Sequence, residues 1–290
     1  GGVEVQHPYR NVSDALRFID QRDQKKPFFA WVSFAEPHNP YQVPEPYFDM
    51  FPPEILPKMK GTVDDLPEKG ERFVWLRKVW EEILGPDIEN RILRARSNYL
   101  GMLRLIDDQF KRLVEGVRER GLEEDTIILY LSDHGDFAGE YGLIRKGPDL
   151  PDVLCHIPFI WRGPGIKMQD KKLQSYGNIV DILPTICDFL GEEILFGCQG
   201  KSLKTILTGE KLTKEEFDTT YAESGFGGKE QRAKSIRIPV IRQRRYMFAR
   251  IKLRDRVYLS RYSPEPTVSM TVPRLLSVQV PMWMSRYSKT

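Results

Sequence analysis

Apolar side chains follow two rhythms along this chain, and each rhythm predicts a kind of element. Between residues 92 and 121 they recur every three or four positions, at Tyr99, Met102, Leu103, Ile106, Phe110, Leu113, Val114 and Val117, the spacing that lines one side of an α-helix. One long amphipathic helix is predicted there, with Gly121 as its C-terminal stop. A shorter helix is predicted over Ser13–Asp20, capped by Ser13 or Asn11. A third, from Val180 to Gly191, tolerates Pro184 in its first turn and makes Asp181 an N-terminal cap rather than a reactive carboxylate. Asp107 and Asp108 are adjacent on the long helix, diverge by about 100°, and read as solvated surface rather than as a catalytic pair.

The second rhythm is unbroken. Pro27–Phe34 and Thr126–Leu131 are short, nearly continuous apolar runs rich in β-branched or aromatic residues, the pattern of parallel strands covered on both faces. Ile157–Trp161 reads as another strand. The first run ends at Glu36-Pro37-His38-Asn39-Pro40-Tyr41 and the second at Ser132-Asp133-His134-Gly135. In open α/β sheets ligands bind beyond the carboxyl ends of the strands, so His38, Asp133 and His134 fall where a site is built. Lys146 follows Asp133 by thirteen residues, across Gly135, Ala138, Gly139 and Gly142, so a folded-back loop can return its ammonium to the same place. If both strands point their carboxyl ends to one side, His38, Asp133 and Lys146 converge. Seven prolines between Pro37 and Pro57 exclude regular helix or central strand and predict an extended surface loop able to rim a site. Residues 61–90 are charged, with Phe73, Trp75 and Trp80 interspersed, and read as an irregular or helical excursion.

Composition narrows the function classes. The 290 residues, 40% hydrophobic and 29% charged, suit an ordinary globular protein with a large core. A net charge of +3 is too mild to argue for nucleic acid, and no base-reading motif occurs. No apolar run approaches a membrane span, and the start lacks the basic and apolar regions of a signal peptide. The three cysteines, Cys155, Cys187 and Cys198, are too few for a disulfide framework and read as buried thiols, a Cys187–Cys198 bridge remaining open. Gln199–Leu203 lacks the leading glycine of a phosphate loop, which excludes a nucleotide site there. After Gly209 the segments Ile236–Ile241, Arg245–Arg250 and Arg256–Leu259 mix apolar and basic residues and predict a small antiparallel sheet. Its arginines read as edge charge against aggregation, with recognition of an anionic sugar as the alternative.

Ser132-Asp133-His134-Gly135, the Gly-rich loop, Gly142-Leu143 and Lys146, together with Pro37-His38-Asn39-Pro40-Tyr41, resemble motifs of the sulfatase branch of the alkaline-phosphatase-like hydrolases. The Tyr99–Gln109 helix, Asp181–Thr185 and Gly200–Leu203 are similar to further landmarks of that family. The resemblance implies an α/β fold, an alkaline-phosphatase-like sandwich with a largely parallel sheet between helices, plus a small C-terminal antiparallel subdomain. It would divide the chain at 1–210 and 211–290. It implies Asp133 and His134 as ligands of a divalent cation, calcium by its hard oxygen ligands, with magnesium, manganese or zinc left open by the histidine. Lys146 would contact the sulfuryl group or leaving oxygen. His38 would bind sulfate or donate a proton to the leaving group, which suits an imidazole because its unperturbed pKa lies near physiological pH.

The family nucleophile, a formylglycine made within Cys/Ser-x-Pro-x-Arg, has no counterpart in these residues: Cys155-His156-Ile157-Pro158-Phe159 places proline one position late and lacks the arginine. The early Asp-Asp pair of metal ligands is also missing. The expectation is therefore a C-terminal portion of a sulfatase-like enzyme whose formylglycine lies upstream of Gly1, inactive and weak in metal binding by itself. The implied substrate is a sulfated small molecule or glycan, and the implied address periplasmic, secreted or lysosomal, with no nucleic acid or membrane partner and an open oligomeric state. Alternatives are a phosphodiesterase or phosphonate monoester hydrolase of the same superfamily, or a non-catalytic carbohydrate-binding module.

Overall fold

The structure is a computed structural model that describes residues 2–147, 149–167, 173, 175–210, 217, 219–224, 238–243, 246–253 and 256–262, with the backbone alone from residue 223 onward. The described residues divide into two compact units, one of residues 2–126 and 136–146, the other of 127–135 and the described residues from 147 to 262.

Helices build the first unit. Helix α1 (His7–Gln21) begins earlier than Ser13 because Pro8 enters its first turn, where a missing N–H costs nothing. After the proline-rich stretch come the one-turn α2 (Leu66–Lys69), then α3 (Glu71–Leu84) and the long α4 (Ile88–Glu119). The excursion at 61–90 is thus largely helical, and it buries Phe73, Leu76 and Trp80. Helix α4 stops where its glycine dictates. Gly121 takes φ 68°, its N–H reaches Arg118 O at 2.8 Å and Leu122 N–H reaches Val117 O at 3.2 Å, the paired bonds of a Schellman motif. Helix α1 packs on α4, where Leu16 lies over Gly116. Arg112 ties the pair by donating to Tyr9 O at 3.0 Å and Ser13 Oγ at 2.7 Å.

Two expectations in this unit are corrected. Asp107 is buried and Asp108 half-buried, not solvated. Asp108 pairs with Arg104 at 2.8 Å and accepts from Tyr47 Oη at 3.0 Å, because the proline-rich loop folds back over α4 and inserts Tyr47. Burial first, and then that aspartate, push the Tyr47 phenol up to about 12. The second correction concerns Phe28–Phe34, which forms no strand. Residue type favours extended backbone there, yet a strand exists only when its N–H and C=O groups find a ladder, and no described residue pairs with it. Phe29 and Trp31 are 72% and 77% exposed. The segment is held instead from the α1 side, by Asn11 Nδ2 donating to Ser33 O at 2.6 Å and by Phe28 against Phe18 and Arg22.

The second unit contains β1 (Ile128–Leu131), the one-turn α5 (Asp152–Cys155), β2 (Phe159–Arg162), α6 (Ile182–Leu190) and the one-turn α7 (Lys204–Leu207). Strands β1 and β2 lie where the apolar runs predict them, but they pair antiparallel, Ile128 opposite Arg162 and Leu131 opposite Phe159. A continuous apolar run records cover on both faces and carries no direction, which the connection decides. Every ladder among the described residues is antiparallel, including the sheet of β3 (Thr219–Ser224), β4 (Ile238–Gln243), β5 (Tyr246–Leu253) and β6 (Arg256–Tyr262) in that order. Trp161, Ile166, Leu203, Ile206, Leu207 and Phe217 form this unit's core.

Asp181 is structural. Its carboxylate accepts from Asn178 N at 2.8 Å and Lys201 N at 2.9 Å, and Gly200 lies so close to Val180 O that a Cβ would stand 2.0 Å away. The Gly200–Leu203 turn therefore clasps the start of α6. All three cysteines are free, Cys155 exposed and the other two half-buried, which corrects the reading of buried thiols and removes the Cys187–Cys198 bridge. No described helix is long and apolar enough to cross a membrane.

Gly101 tests the packing over α4. A Cβ there would lie 2.5 Å from Tyr47 O, a backbone atom that cannot swing away. Gly101→Ala should lower the thermal midpoint even though alanine raises helix propensity by about 1 kcal/mol; a midpoint that rises would refute the close approach.

Candidate active site

Asp133 and His134 follow β1 after Ser132, in the second unit, and local bonds shape them. His134 N donates to Asp133 Oδ1 at 2.9 Å, and Ser132 Oγ donates to His134 O at 2.7 Å. Gly135 N donates to Leu154 O at 2.8 Å, so closely that a Cβ on Gly135 would meet Val153 O at 2.0 Å. That contact explains why glycine follows the histidine. The His134 Nδ1 lies 2.8 Å from Gly135 O, and a carbonyl only accepts, so Nδ1 carries the hydrogen and Nε2 holds the lone pair of the neutral ring. Nε2 stands 3.4 Å from Asp133 Oδ2, with the Asp133 side chain 84% exposed. An imidazole nitrogen fixed by a backbone carbonyl beside a carboxylate oxygen suits a divalent cation in kind. It does not suffice in number: calcium takes about six to eight oxygen ligands, and among the described residues no group of three or more His, Cys, Asp or Glu is arranged to hold a metal ion.

His38 and Lys146 belong to the first unit. His38 N donates to Ala35 O at 3.0 Å, and its Nδ1 donates to Asn39 O at 2.6 Å, which leaves Nε2 on an exposed ring. Lys146 ends a loop, residues 136–146, that is held along its whole length. Phe137 N donates to Arg145 O and Gly139 N to Leu143 O, each at 2.8 Å, so the two arms run together. Phe137 and Leu143 are buried to within 1%. Arg77 Nη1 donates to Gly142 O at 2.9 Å. Glu140, 5% exposed, accepts from Gly61 N at 2.9 Å and faces the buried Arg96, while Tyr141 N donates back to Gly61 O at 3.0 Å. Desolvation holds the Arg96 guanidinium below its ordinary range and the Glu140 charge opposes that shift.

A residue without a predicted role stands between these two loops. Tyr41 Oη donates to the Asp136 carboxylate, 2.9 and 3.0 Å from its oxygens, and accepts from Arg145 N at 3.0 Å. Tyr41 closes the same five-residue motif that contains His38, and Asp136 follows His134 by two positions; those adjacencies are the only signal the sequence offered. Asp133 and His134 are thus brought together in one unit, and His38 and Lys146 belong to the other, their loops joined through Tyr41.

The sulfatase family model matches residues 9–192, and the chain belongs to the sulfatase family of alkaline-phosphatase-like hydrolases. It is 32% identical to an arylsulfatase of Clostridium perfringens over 74% of this chain and 44% of that protein. It is 28% identical to the multifunctional alkaline phosphatase superfamily protein PehA of Trinickia caryophylli, over 68% and 40% respectively. Among solved structures, the phosphonate monoester hydrolase of Agrobacterium radiobacter superposes with a TM-score of 0.78 at 23% identity, covering 91% of this chain and 55% of that one. The chain spans less than half the length of these two curated relatives.

Glu140→Ala should destabilise the protein by about 1–3 kcal/mol, because it leaves the buried Gly61 amide without its acceptor and removes the charge that faces Arg96. Urea unfolding followed by far-UV circular dichroism reads the loss; a change below about 1 kcal/mol would mean that water reaches Arg96.

Proposed function

We propose that the whole protein containing this chain hydrolyses sulfate esters of a small organic molecule or a glycan. The observation that carries the reading is the Tyr41 bridge: the loop with His38 and the loop with Lys146, far apart in sequence, are fastened to one another by one hydroxyl. Family membership supplies the reaction class.

In this reading Lys146 meets the anionic sulfuryl oxygens, and its charge is worth most where negative charge shifts toward the leaving oxygen. His38 presents Nε2 and moves a proton at that atom, to the leaving oxygen. Asp133 and His134 would hold a divalent cation, calcium by preference, with further ligands from outside these residues; when bound, the cation supplies charge neutralisation. The nucleophile would be a formylglycine contributed outside these 290 residues. The second reading, hydrolysis of phosphodiesters or phosphonate monoesters, is supported by the family's breadth, as the name of the Trinickia relative indicates.

Lys146→Ala and His38→Ala should each lower kcat for an aryl sulfate on the order of 10²–10³-fold, while moving stability by within about 0.5 kcal/mol because both side chains are exposed. Kinetics on the aryl sulfate and on a matched phosphodiester, with thermal melts alongside, decide it: unchanged rates remove these residues from the mechanism, and preference for the phosphodiester selects the second reading.

A further inference from the structure

We propose that Tyr41 and Asp136 are positioning residues: they set the direction in which the chain delivers Lys146, and they set it relative to His38. The inference rests on the roles given above to His38 and Lys146, and it adds the device that makes two separate loops act as one.

Four observations carry it. The Asp136 carboxylate is a hub within its own loop, accepting from Ala138 N at 2.8 Å and Arg145 N at 3.0 Å on Oδ1, and from Tyr41 Oη. Tyr41 is itself anchored, since its carbonyl accepts from Asn98 Nδ2 of α4 at 2.9 Å and its ring meets Tyr99 edge-on at 6.1 Å. The amide they share is that of Arg145, a non-glycine residue at φ 63°, where the left-handed backbone turns the chain into Lys146. The Arg145 side chain lies over the Trp80 ring at 5.0 Å, so both ends of that residue are held and the next residue inherits the direction. A tyrosine needed only for packing would have no reason to place its hydroxyl on the backbone amide one residue before the cation. Its phenol is driven upward in pKa, by burial first and by the Asp136 charge after it, so it stays a neutral donor throughout the working pH range.

The test uses the whole protein. Tyr41→Phe removes one oxygen and keeps the ring; Asp136→Asn keeps an acceptor and removes the charge. Either should lower kcat for an aryl sulfate on the order of 10–100-fold with KM within about twofold, the consequence of misplacing a group by a fraction of an ångström. Because the effect passes through Lys146, Tyr41→Phe in a Lys146→Ala background should cost almost nothing more. Limited trypsinolysis read by mass spectrometry, with no substrate present, should show faster cutting after Arg145 and Lys146 in Tyr41→Phe while the melting temperature holds. Wild-type kcat in Tyr41→Phe, fully additive losses in the double variant, or unchanged cutting would each overturn the inference and leave the site reading standing. Wild-type rates in Lys146→Ala and His38→Ala would bring down the site reading, and this inference with it.

Discussion

The first unit is organised around a charge that cannot be left alone. Removing a carboxylate from water costs several kcal/mol unless a partner and hydrogen bonds replace the solvent, and Glu140 is 5% exposed. Its Oε2 accepts from the Gly61 amide, and the buried Arg96 on α4 faces it with an opposite charge. The 136–146 loop is thereby joined to both α4 and residue 61. Phe137 and Leu143 fill the core beneath it, and main-chain bonds join its arms. Polar contacts and apolar burial together hold this loop.

The strand-end pair in the other unit is made differently. Ser132, Asp133, His134 and Gly135 bond mainly among themselves and to the Leu154 carbonyl. Their geometry is set by a few consecutive residues and by one longer-range bond, from Gly135 N to Leu154 O. A cationic side chain at the end of a buttressed loop and an Asp-His pair in a strand-end turn are two solutions to one requirement, which is to hold a polar group still while leaving it in reach of solvent.

What could be read from sequence follows the same division. Helix α4 was legible because its periodicity and Gly121 are local properties, and β1 was legible because its apolar run is bounded by a turn. The pairing direction of β1 was not, since a covered strand looks alike in either orientation. Phe28–Phe34 misled for a related reason: its residues specify extended backbone, whereas a strand is a relation to a neighbour. Asp107 and Asp108 misled because the helix wheel ignores what folds over it, here Tyr47. His38, Asp133, His134 and Lys146 stand out in the sequence by their motifs, and of the two strand ends expected there only the one before Asp133 and His134 exists in the structure. Tyr41 and Asp136 were invisible as a pair, because no short-range pattern joins positions 95 residues apart.

Ala138, Tyr141 and Arg145, none of them glycine, occupy positive φ in one eleven-residue loop. Each such residue costs roughly 1–2 kcal/mol, and the contacts at Asp136 and Glu140 offset that strain. A loop loaded in this way has no gentle intermediate. Losing one support would strain several residues together: a β-branched side chain would be an outlier at any of the three positions, and a substitution at Tyr41 or Gly61 would be felt in a segment that neither adjoins.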